Sequence, residues 1–420
     1  MTGIFLALVG GALIVLLIAN LSTSEKKIEQ EIEHLYAVGD PQFARSLGTL
    51  LGPAILPGNQ VTGLVNGDQI FPAMLDAIRR AKQTITFETF IYWSGAIGKA
   101  FAEALTERAR SGVKVHVLLD WVGTGKMDQA ILREMEQAGV AIVKYHPLRW
   151  YNLGRLNNRT HRKLLVVDGT VGFTGGVGIA DNWLSNAEDP DHWRDSHFRV
   201  EGPAVAQMQA AFMDNWIEAT AGVLHGNAYF PELTSAGTHR AQMFKSATNE
   251  ASESVRLMYL LSIASAVKSV RIANAYFVPD DLAVATMVGA QRRGVQVEII
   301  VPGRHIDAKV VRRASRSRWE PLLQAGVAIY EYQPTMYHTK VMVVDDLLTS
   351  VGSTNFDNRS FRLNDEANLN VLDAEFAAIQ AGWFEEDKKR SEQLTLEAWR
   401  SRPWQERALE WLGGLLRLQL

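Results

Sequence analysis

One pattern, H-x-K-x(4)-D, occurs twice in this chain: His161, Lys163 and Asp168, then His338, Lys340 and Asp345. A repeat of chemistry at such long range constrains the fold more than any other feature, because it calls for two related halves. Each lysine is followed by an apolar run, Leu164 to Val167 and Val341 to Val344, that reads as a strand buried on both faces. Residues two apart on a strand share a face, so each histidine points the same way as its lysine. The aspartates stand an odd number of positions further on. Asp168-Gly169 and Asp345-Asp346 read as turns that end the strands, placing these carboxylates near the site but off the histidine face.

Beyond the first aspartate lie Gly175 and Gly176; beyond the second lie Gly352, Ser353 and Asn355. An imidazole beside an ammonium, followed by a small turn with free backbone N–H groups, is a suitable cradle for a phosphate. Two such cradles brought together supply a nucleophile and a general acid, which displacement at a phosphodiester requires. Where the second copy has Ser353 and Asn355, the first has Gly176 and Gly178, so side-chain donors are missing on that side. Glu366 and Asp195 are each able to hydrogen-bond an imidazole, or to serve as an ordinary salt-bridge partner.

The surrounding elements repeat as well. The pattern predicts a helix over Ile70–Lys82, a strand over Thr84–Tyr92, a helix over Gly98–Ser111, a strand over Lys114–Asp120, a helix over Met127–Ala138 and a strand over Ala141–Tyr145. The order returns with a strand over Ser269–Ala275, a helix over Asp281–Arg293, a strand over Gln296–Val301, a helix over Val310–Gln324 and a strand over Ala328–Tyr332. Local phrases match too, as in Ala138-Gly139-Val140-Ala141-Ile142 against Ala325-Gly326-Val327-Ala328-Ile329. Strands alternating with helices imply an α/β fold with mixed, largely parallel sheets flanked by helices. Two lobes, over 58–220 and 253–395, are expected to pack about a pseudo-twofold axis and build one site from two incomplete ones. The polar stretch 221–252 is the natural linker between them.

At 420 residues and 47% hydrophobic, the chain can bury two ordinary cores. Its net charge of −3 gives no pull toward nucleic acid, and the absence of cysteine excludes disulfides and thiolate metal sites. Ile4 to Ala19 is apolar or glycine throughout, and no charged side chain precedes Glu25. At ~1.5 Å per residue the run from Met1 to Leu21 reaches roughly the ~30 Å of a hydrocarbon core. It has no basic n-region and no A-x-A-like site, so it reads as an uncleaved transmembrane anchor over 1–23. Lys26 and Lys27 follow it, which favours a catalytic body in the cytoplasm.

Residues 24–57 read as a stalk that begins with a charged, helix-prone segment. At the other end, 396–420 combines Trp399, Trp404 and Trp411 with Arg400, Arg402, Arg407 and Arg417. Such an amphipathic segment suits a membrane surface or packing onto the body. Arg149, Trp150, Tyr151, Arg155 and Arg159 precede His161 in a loop suited to an anionic headgroup, to the membrane interface or simply to solvent. Arg312, Arg313, Arg316 and Arg318 read as a solvated helix face.

The doubled signature, the tail G-S-x-N-x-D-x-R-S at Gly352–Ser360 and the following Leu363-Asn364-Asp365-Glu366 resemble the phospholipase D superfamily, in particular its bacterial cardiolipin synthase branch. Tyr276-Phe277-Val278-Pro279-Asp280 and Trp193-Arg194-Asp195 are similar to that branch as well, and the likeness extends from Gly58 to Trp383. The resemblance implies a phosphatidyltransferase in which one histidine forms a phosphohistidine while the other protonates the departing alcohol and deprotonates the incoming one. His161 is expected as the nucleophile and His338 as the acid/base. Lys163, Lys340, Ser353 and Asn355 would hold the phosphoryl oxygens, Asp168 and Asp345 would support the site, and Glu366 would lie close to it.

The branch further implies phospholipid substrates at the bacterial inner membrane, with phosphatidylglycerol as both donor and acceptor and glycerol released. No metal or cofactor is implied, because two lysines and two histidines supply the positive field. Hydrolysis to phosphatidic acid, a nuclease and a non-catalytic lipid-binding relative are the rivals. The acidic net charge and apolar amino terminus stand against the nuclease, and intact motifs in both copies against the last.

Overall fold

The computed structural model describes residues 3, 9–16, 28–147, 157–246 and 253–416. The first half runs α1 (Pro41–Leu51), β1 (Leu56–Val65), α2 (Asn66–Arg80), β2 (Thr84–Thr89), α3 (Ala96–Arg110), β3 (Lys114–Asp120), α4 (Gln129–Gln137) and β4 (Ala141–Tyr145). It continues with β5 (Arg159–Thr160), β6 (Leu164–Val167), β7 (Val171–Gly175), β8 (Ser196–Glu201) and α5 (Ala204–Thr220). The second half runs β9 (His239–Ser246), α6 (Ser254–Ala264), β10 (Ser269–Asn274), α7 (Asp281–Arg292), β11 (Gln296–Pro302), α8 (Lys309–Arg316), α9 (Glu320–Gln324) and β12 (Ala328–Tyr332). It closes with β13 (Lys340–Val344), β14 (Leu348–Gly352), α10 (Asn358–Arg362), β15 (Asn364–Leu372), α11 (Ala374–Lys389), β16 (Ser391–Leu394), α12 (Leu396–Arg400) and α13 (Trp404–Leu415).

Local chemistry explains why matching segments form matching elements. The side chains of Asp128 and Asp280 cap α4 and α7, accepting from the N–H groups of Ala130 and Ala283. Gly139 and Gly326, each with φ near the left-handed region at 96° and 89°, end the helices before β4 and β12. The helix expected over 310–324 is broken in two, and Pro321 sits in the first turn of α9.

A single sheet path joins the lobes in the order β16-β12-β11-β10-β13-β14-β15-β9-β1-β8-β7-β6-β2-β3-β4, with β5 beside β15. Parallel pairing within it is limited to β2/β3/β4 and β10/β11/β12, together with β5/β15. The sheet is therefore mixed, and the expectation of largely parallel strands is corrected. The reason lies in the turns. Asp168 and Gly169 (φ 51° and 64°), like Asp345 and Asp346 (φ 55° and 52°), close two-strand hairpins β6–β7 and β13–β14. Loops that short join only antiparallel neighbours.

Each lobe has its own apolar core, one around Phe87, Phe101 and Leu165, the other around Tyr259, Ile272 and Phe356. A third core lies between them and mixes both halves, with Leu164, Phe198 and Trp216 against Tyr337, Leu369 and Phe376. This shared core holds the lobes in fixed register.

Several expectations meet the structure differently. Most of the anchor expected over 1–23 lies outside the described residues; residues 9–16 are helical, and no described helix is long and apolar enough to cross a membrane. The stalk helix is not formed over its described part. Ile28, Ile32 and Tyr36 instead pack onto the second-lobe core, the Ile28 N–H donates to Glu253, and His34 Nδ1 lies 2.8 Å from the Ala264 carbonyl. Within the stretch expected as a linker, β9 pairs with both β15 and β1, because Ala241 and Met243 turn their side chains into the shared core.

At the carboxyl end α13 packs on α8. Buried Glu410 accepts from Arg316 and Arg402, and a side chain at Gly413 would collide with Arg313. Arg312 and Arg316 both pair with Glu331, so that face is not a solvated one. Arg149, Trp150, Tyr151, Arg155 and Arg417 lie outside the described residues.

Candidate active site

The two signatures meet at the seam between the lobes, and each is held by the other half. The His161 N–H donates to the Asp365 carbonyl at 2.9 Å, while the His338 N–H donates to the Arg194 carbonyl at 2.7 Å. The side chains cross over in the same way. His161 Nδ1 is 2.9 Å from Glu366 Oε1 of the second lobe, and His338 Nδ1 is 2.7 Å from Asp195 Oδ2 of the first. A carboxylate on Nδ1 fixes the proton there and leaves the lone pair on Nε2, which at His338 lies 3.2 Å from Lys340 Nζ.

Each lysine, two residues on from its histidine and at the entry to β6 or β13, folds back onto it. Lys163 Nζ donates to the His161 carbonyl at 2.8 Å, and Lys340 Nζ to the His338 carbonyl at 2.7 Å. Burial pushes both ammonium groups down, Lys163 to about 7 and Lys340 to about 8, with Glu366 and Asp195 opposing the change. Burial likewise pushes His161 down to about 4 and lowers His338. Both imidazoles are thus neutral at neutral pH before substrate binds. Asp195 and Glu366 stay ionised despite their burial, because each faces a histidine and a lysine. Lys340 also acts electrostatically on His161, which places the two half-sites in one shared field.

Asp168 and Asp345 do not join this group. At ~3.3 Å per residue, Asp168 lies about 16 Å along the strand from Lys163, at its far end. Its carboxylate accepts from the backbone N–H groups of Lys82, Gln83 and Thr84. Asp345 does the same for Val267, Lys268 and Ser269. Both aspartates tie the entry of the neighbouring strand to the hairpin turn, and the expectation that they sit near the site is corrected.

The glycine turns also differ from the expected anion cradle. The Gly176 N–H donates to the Ser196 carbonyl and the Ser353 N–H to the Ala367 carbonyl, each at 3.1 Å, so these donors are consumed by the neighbouring strand. Glycine is needed there for close approach. A Cβ at Gly175 would lie 2.6 Å from His197 Cα, and one at Gly352 would lie 2.4 Å from the Ala367 carbonyl oxygen.

At the next position the two copies solve one problem in two ways. Ser353 donates its hydroxyl to Glu366, whereas a side chain at Gly176 would run into Asp195, 2.1 Å from its Oδ1. The shorter aspartate occupies the room that the serine would take. Asn355 is buried, and its side-chain oxygen has no hydrogen-bond partner among the described residues. That oxygen keeps acceptor capacity for a ligand.

Several flanking residues carry no spacing signal that could have singled them out. Phe90 sets its edge against His161 at 5.5 Å, while Trp183 and Trp193 enclose His338 at 5.2 and 5.4 Å. Trp183 Nε1 donates to Asp195 at 2.9 Å, so Asp195 is gripped from two sides. Arg162, the residue between His161 and Lys163, is fully buried and donates to Asp214 and to the carbonyls of Ala211 and Ser246. Below it, buried Glu88 accepts from Thr160 and Asn215, and burial raises its pKa to about 7.

Outside this seam, among the described residues, Glu188, Asp189 and His192 form a group whose potential ligand atoms lie within 4.8 Å of one another. The acids are bound up in local loop contacts instead, Glu188 with the Asn186 N–H and Asp189 with the Asp191 N–H and the His192 ring.

Comparison with known proteins agrees with this arrangement. A family profile described as "Cardiolipin synthase, PLD-like domain" matches residues 74–216 and 259–388, one segment in each lobe. Cardiolipin synthase 1 of Bacillus anthracis is 35% identical over 357 residues, covering 83% of this chain and 70% of that protein. The cardiolipin synthase of Geobacillus thermodenitrificans is 35% identical over 361 residues, covering 85% of this chain and 72% of that one. Among solved structures, a phosphatidylserine synthase of Haemophilus influenzae superposes with a TM-score of 0.64 at 14% identity, over 90% of this chain and 100% of that one. At such low identity that likeness establishes the fold alone. The matched profile and the level of identity together establish that the chain belongs to the cardiolipin synthase family of phospholipase D-like enzymes.

Proposed function

We propose that this chain is a cardiolipin synthase that joins two phosphatidylglycerol molecules and releases glycerol. The crossed pairs His161–Glu366 and His338–Asp195 carry the reading, because they present two Nε2 atoms, each with its Nδ1 proton held by a carboxylate. In the first step His161 Nε2 attacks phosphorus, the bond from phosphorus to the glycerol oxygen breaks, and the departing oxygen takes a proton from His338. In the second, His338 takes the proton from the hydroxyl of another phosphatidylglycerol, whose oxygen attacks phosphorus as the bond to His161 breaks. Both steps balance with no metal or cofactor.

The arriving phosphodiester is an anion, so it raises the pKa of the imidazoles, and His338 takes up a proton from solvent before it serves as the acid. Lys163 and Lys340 hold the phosphoryl oxygens, and the donor that Asn355 can add is its Nδ2–H, not its oxygen. The relatives' printed names support the lipid product, and neutral His161 supports its role as nucleophile.

The same reading puts the protein at the bacterial inner membrane. The apolar run from Ile4 to Ala19 supports a single-pass anchor, and Lys26 and Lys27 support a cytoplasmic body. Trp404 and Trp411, 73% and 64% exposed on α13, support a second contact with the lipid interface.

The test is to give detergent-solubilised protein phosphatidylglycerol, with and without chelator, and to measure cardiolipin, glycerol and phosphatidic acid. Cardiolipin and glycerol in equal amounts, unaffected by chelator, are expected. Phosphatidic acid alone would identify a hydrolase.

A further inference from the structure

The two half-sites share their histidine, lysine and carboxylate but differ at the rim. In the second lobe Asn274 pairs with Lys340, and the Ala275 N–H donates to the Thr339 carbonyl at 2.9 Å. Tyr276 follows two residues beyond the last paired residue of β10, its N–H donating to Asn274 Oδ1 at 3.2 Å. Its hydroxyl lies 2.8 Å from both carboxylate oxygens of Asp307, on the exposed loop between β11 and α8. Below that pair, Tyr276 and Trp193 pack against Ala275, Ile306 and Met336. Trp193 in turn lies against the His338 ring. Asp307 is close enough for its charge to act on both His338 and Lys340.

The corresponding loop of the first lobe, residues 121–128 between β3 and α4, has one carboxylate, Asp128, and it is taken up in capping α4 through the Ala130 N–H. The same loop carries a cation, with Lys126 Nζ 3.9 Å from the centre of the Trp93 ring.

A negative charge at the rim of a site that must admit an anionic phosphodiester works against binding. What a carboxylate offers there is acceptor capacity for hydroxyl groups, which a phosphoryl oxygen cannot use. We propose that Tyr276 and Asp307 form a hydroxyl-binding subsite on the His338 side that takes the glycerol headgroup of the acceptor. The tyrosine hydroxyl holds the carboxylate in place, and the free lone pairs of Asp307 accept from the glycerol hydroxyls. One hydroxyl is thereby set before His338 Nε2, which removes its proton as the oxygen attacks phosphorus and the bond to His161 breaks. The proposal rests on the cardiolipin synthase reading and deepens it, since it assigns the alcohol to one half-site and the phosphoryl group's covalent hold to the other.

The experiment measures choice between acceptors. Full-length protein in detergent, with phosphatidylglycerol as donor, is offered isotopically labelled glycerol and ethanol in competition, and labelled phosphatidylglycerol and phosphatidylethanol are counted. Asp307→Asn is expected to lower the preference for glycerol over ethanol on the order of tenfold, the loss of one hydrogen bond to a charged group. Tyr276→Phe should shift it in the same direction by less. Because the ratio is internal to each variant, partial misfolding does not mimic the effect. An unchanged ratio in Asp307→Asn, or an equal fall in both products, would overturn the subsite. Cardiolipin formation by the parent protein is scored separately, so failure of the broader reading is seen on its own.

Discussion

Glu366 and Asp195 do for the imidazoles what spacing along one strand could not, since each reaches its histidine from the opposite half of the chain. If these carboxylates set the tautomer, replacing one by an amide should leave the ring in place with the wrong nitrogen protonated. Glu366→Gln is expected to lower kcat by on the order of 10² to 10⁴ while leaving KM for phosphatidylglycerol within a few-fold, as measured by initial rates in mixed micelles.

The depressed lysines make a second statement at this scale. Lys163 at about 7 and Lys340 at about 8 carry their charges below those values and lose them as pH rises through 7 to 8. Phosphate affinity falls with them. On the acid side, His161 remains a neutral nucleophile until pH approaches about 4. The profile of kcat/KM should therefore fall on the acid side near pH 4, as His161 takes up a proton, and lose the contribution of the lysines between pH 7 and 8. A flat profile from pH 6 to 9 would contradict this assignment.

Among the elements, the hairpins β6–β7 and β13–β14 show how one motif serves two ends of a strand. The histidine and lysine stand at the start, and the aspartate stands at the turn, bonded to the backbone entering β2 or β10. Removing that carboxylate leaves backbone donors without partners and does not touch the imidazoles. Asp168→Ala should cost on the order of 2–3 kcal/mol in urea unfolding, while turnover per folded molecule stays within about twofold. A loss of activity as deep as that of His161→Ala, with stability intact, would return Asp168 to the catalytic group. The alternation of the strand showed that Asp168 leaves the histidine face; which chain end lies opposite it depends on the packing of β2.

Across the whole molecule, α13 combines a packed side with an exposed one. Glu410 and Gly413 face α8, while Trp404, Trp411, Leu412 and Leu415 remain exposed. Replacing both exposed tryptophans by serine should weaken binding to vesicles rich in phosphatidylglycerol by about tenfold, read by co-sedimentation, with little change of activity in detergent. Equal loss in both assays would mean that this face supports the fold instead.

The duplicated order of strands and helices was legible in the sequence, and so was the nearness of each histidine to the lysine two residues on, because both are local properties, although His161, Lys163 and His338 lie just ahead of their strands. The mixed sheet was less so, since it turns on hairpin closure at Asp168-Gly169 and Asp345-Asp346. What tertiary structure alone decided is the exchange of carboxylates between halves, the burial that lowers the lysines and the pairing of Asp307 with Tyr276 where its charge reaches His338. Those depend on how the shared core sets one lobe against the other. Contacts between segments this distant in the chain leave no periodic trace in either segment.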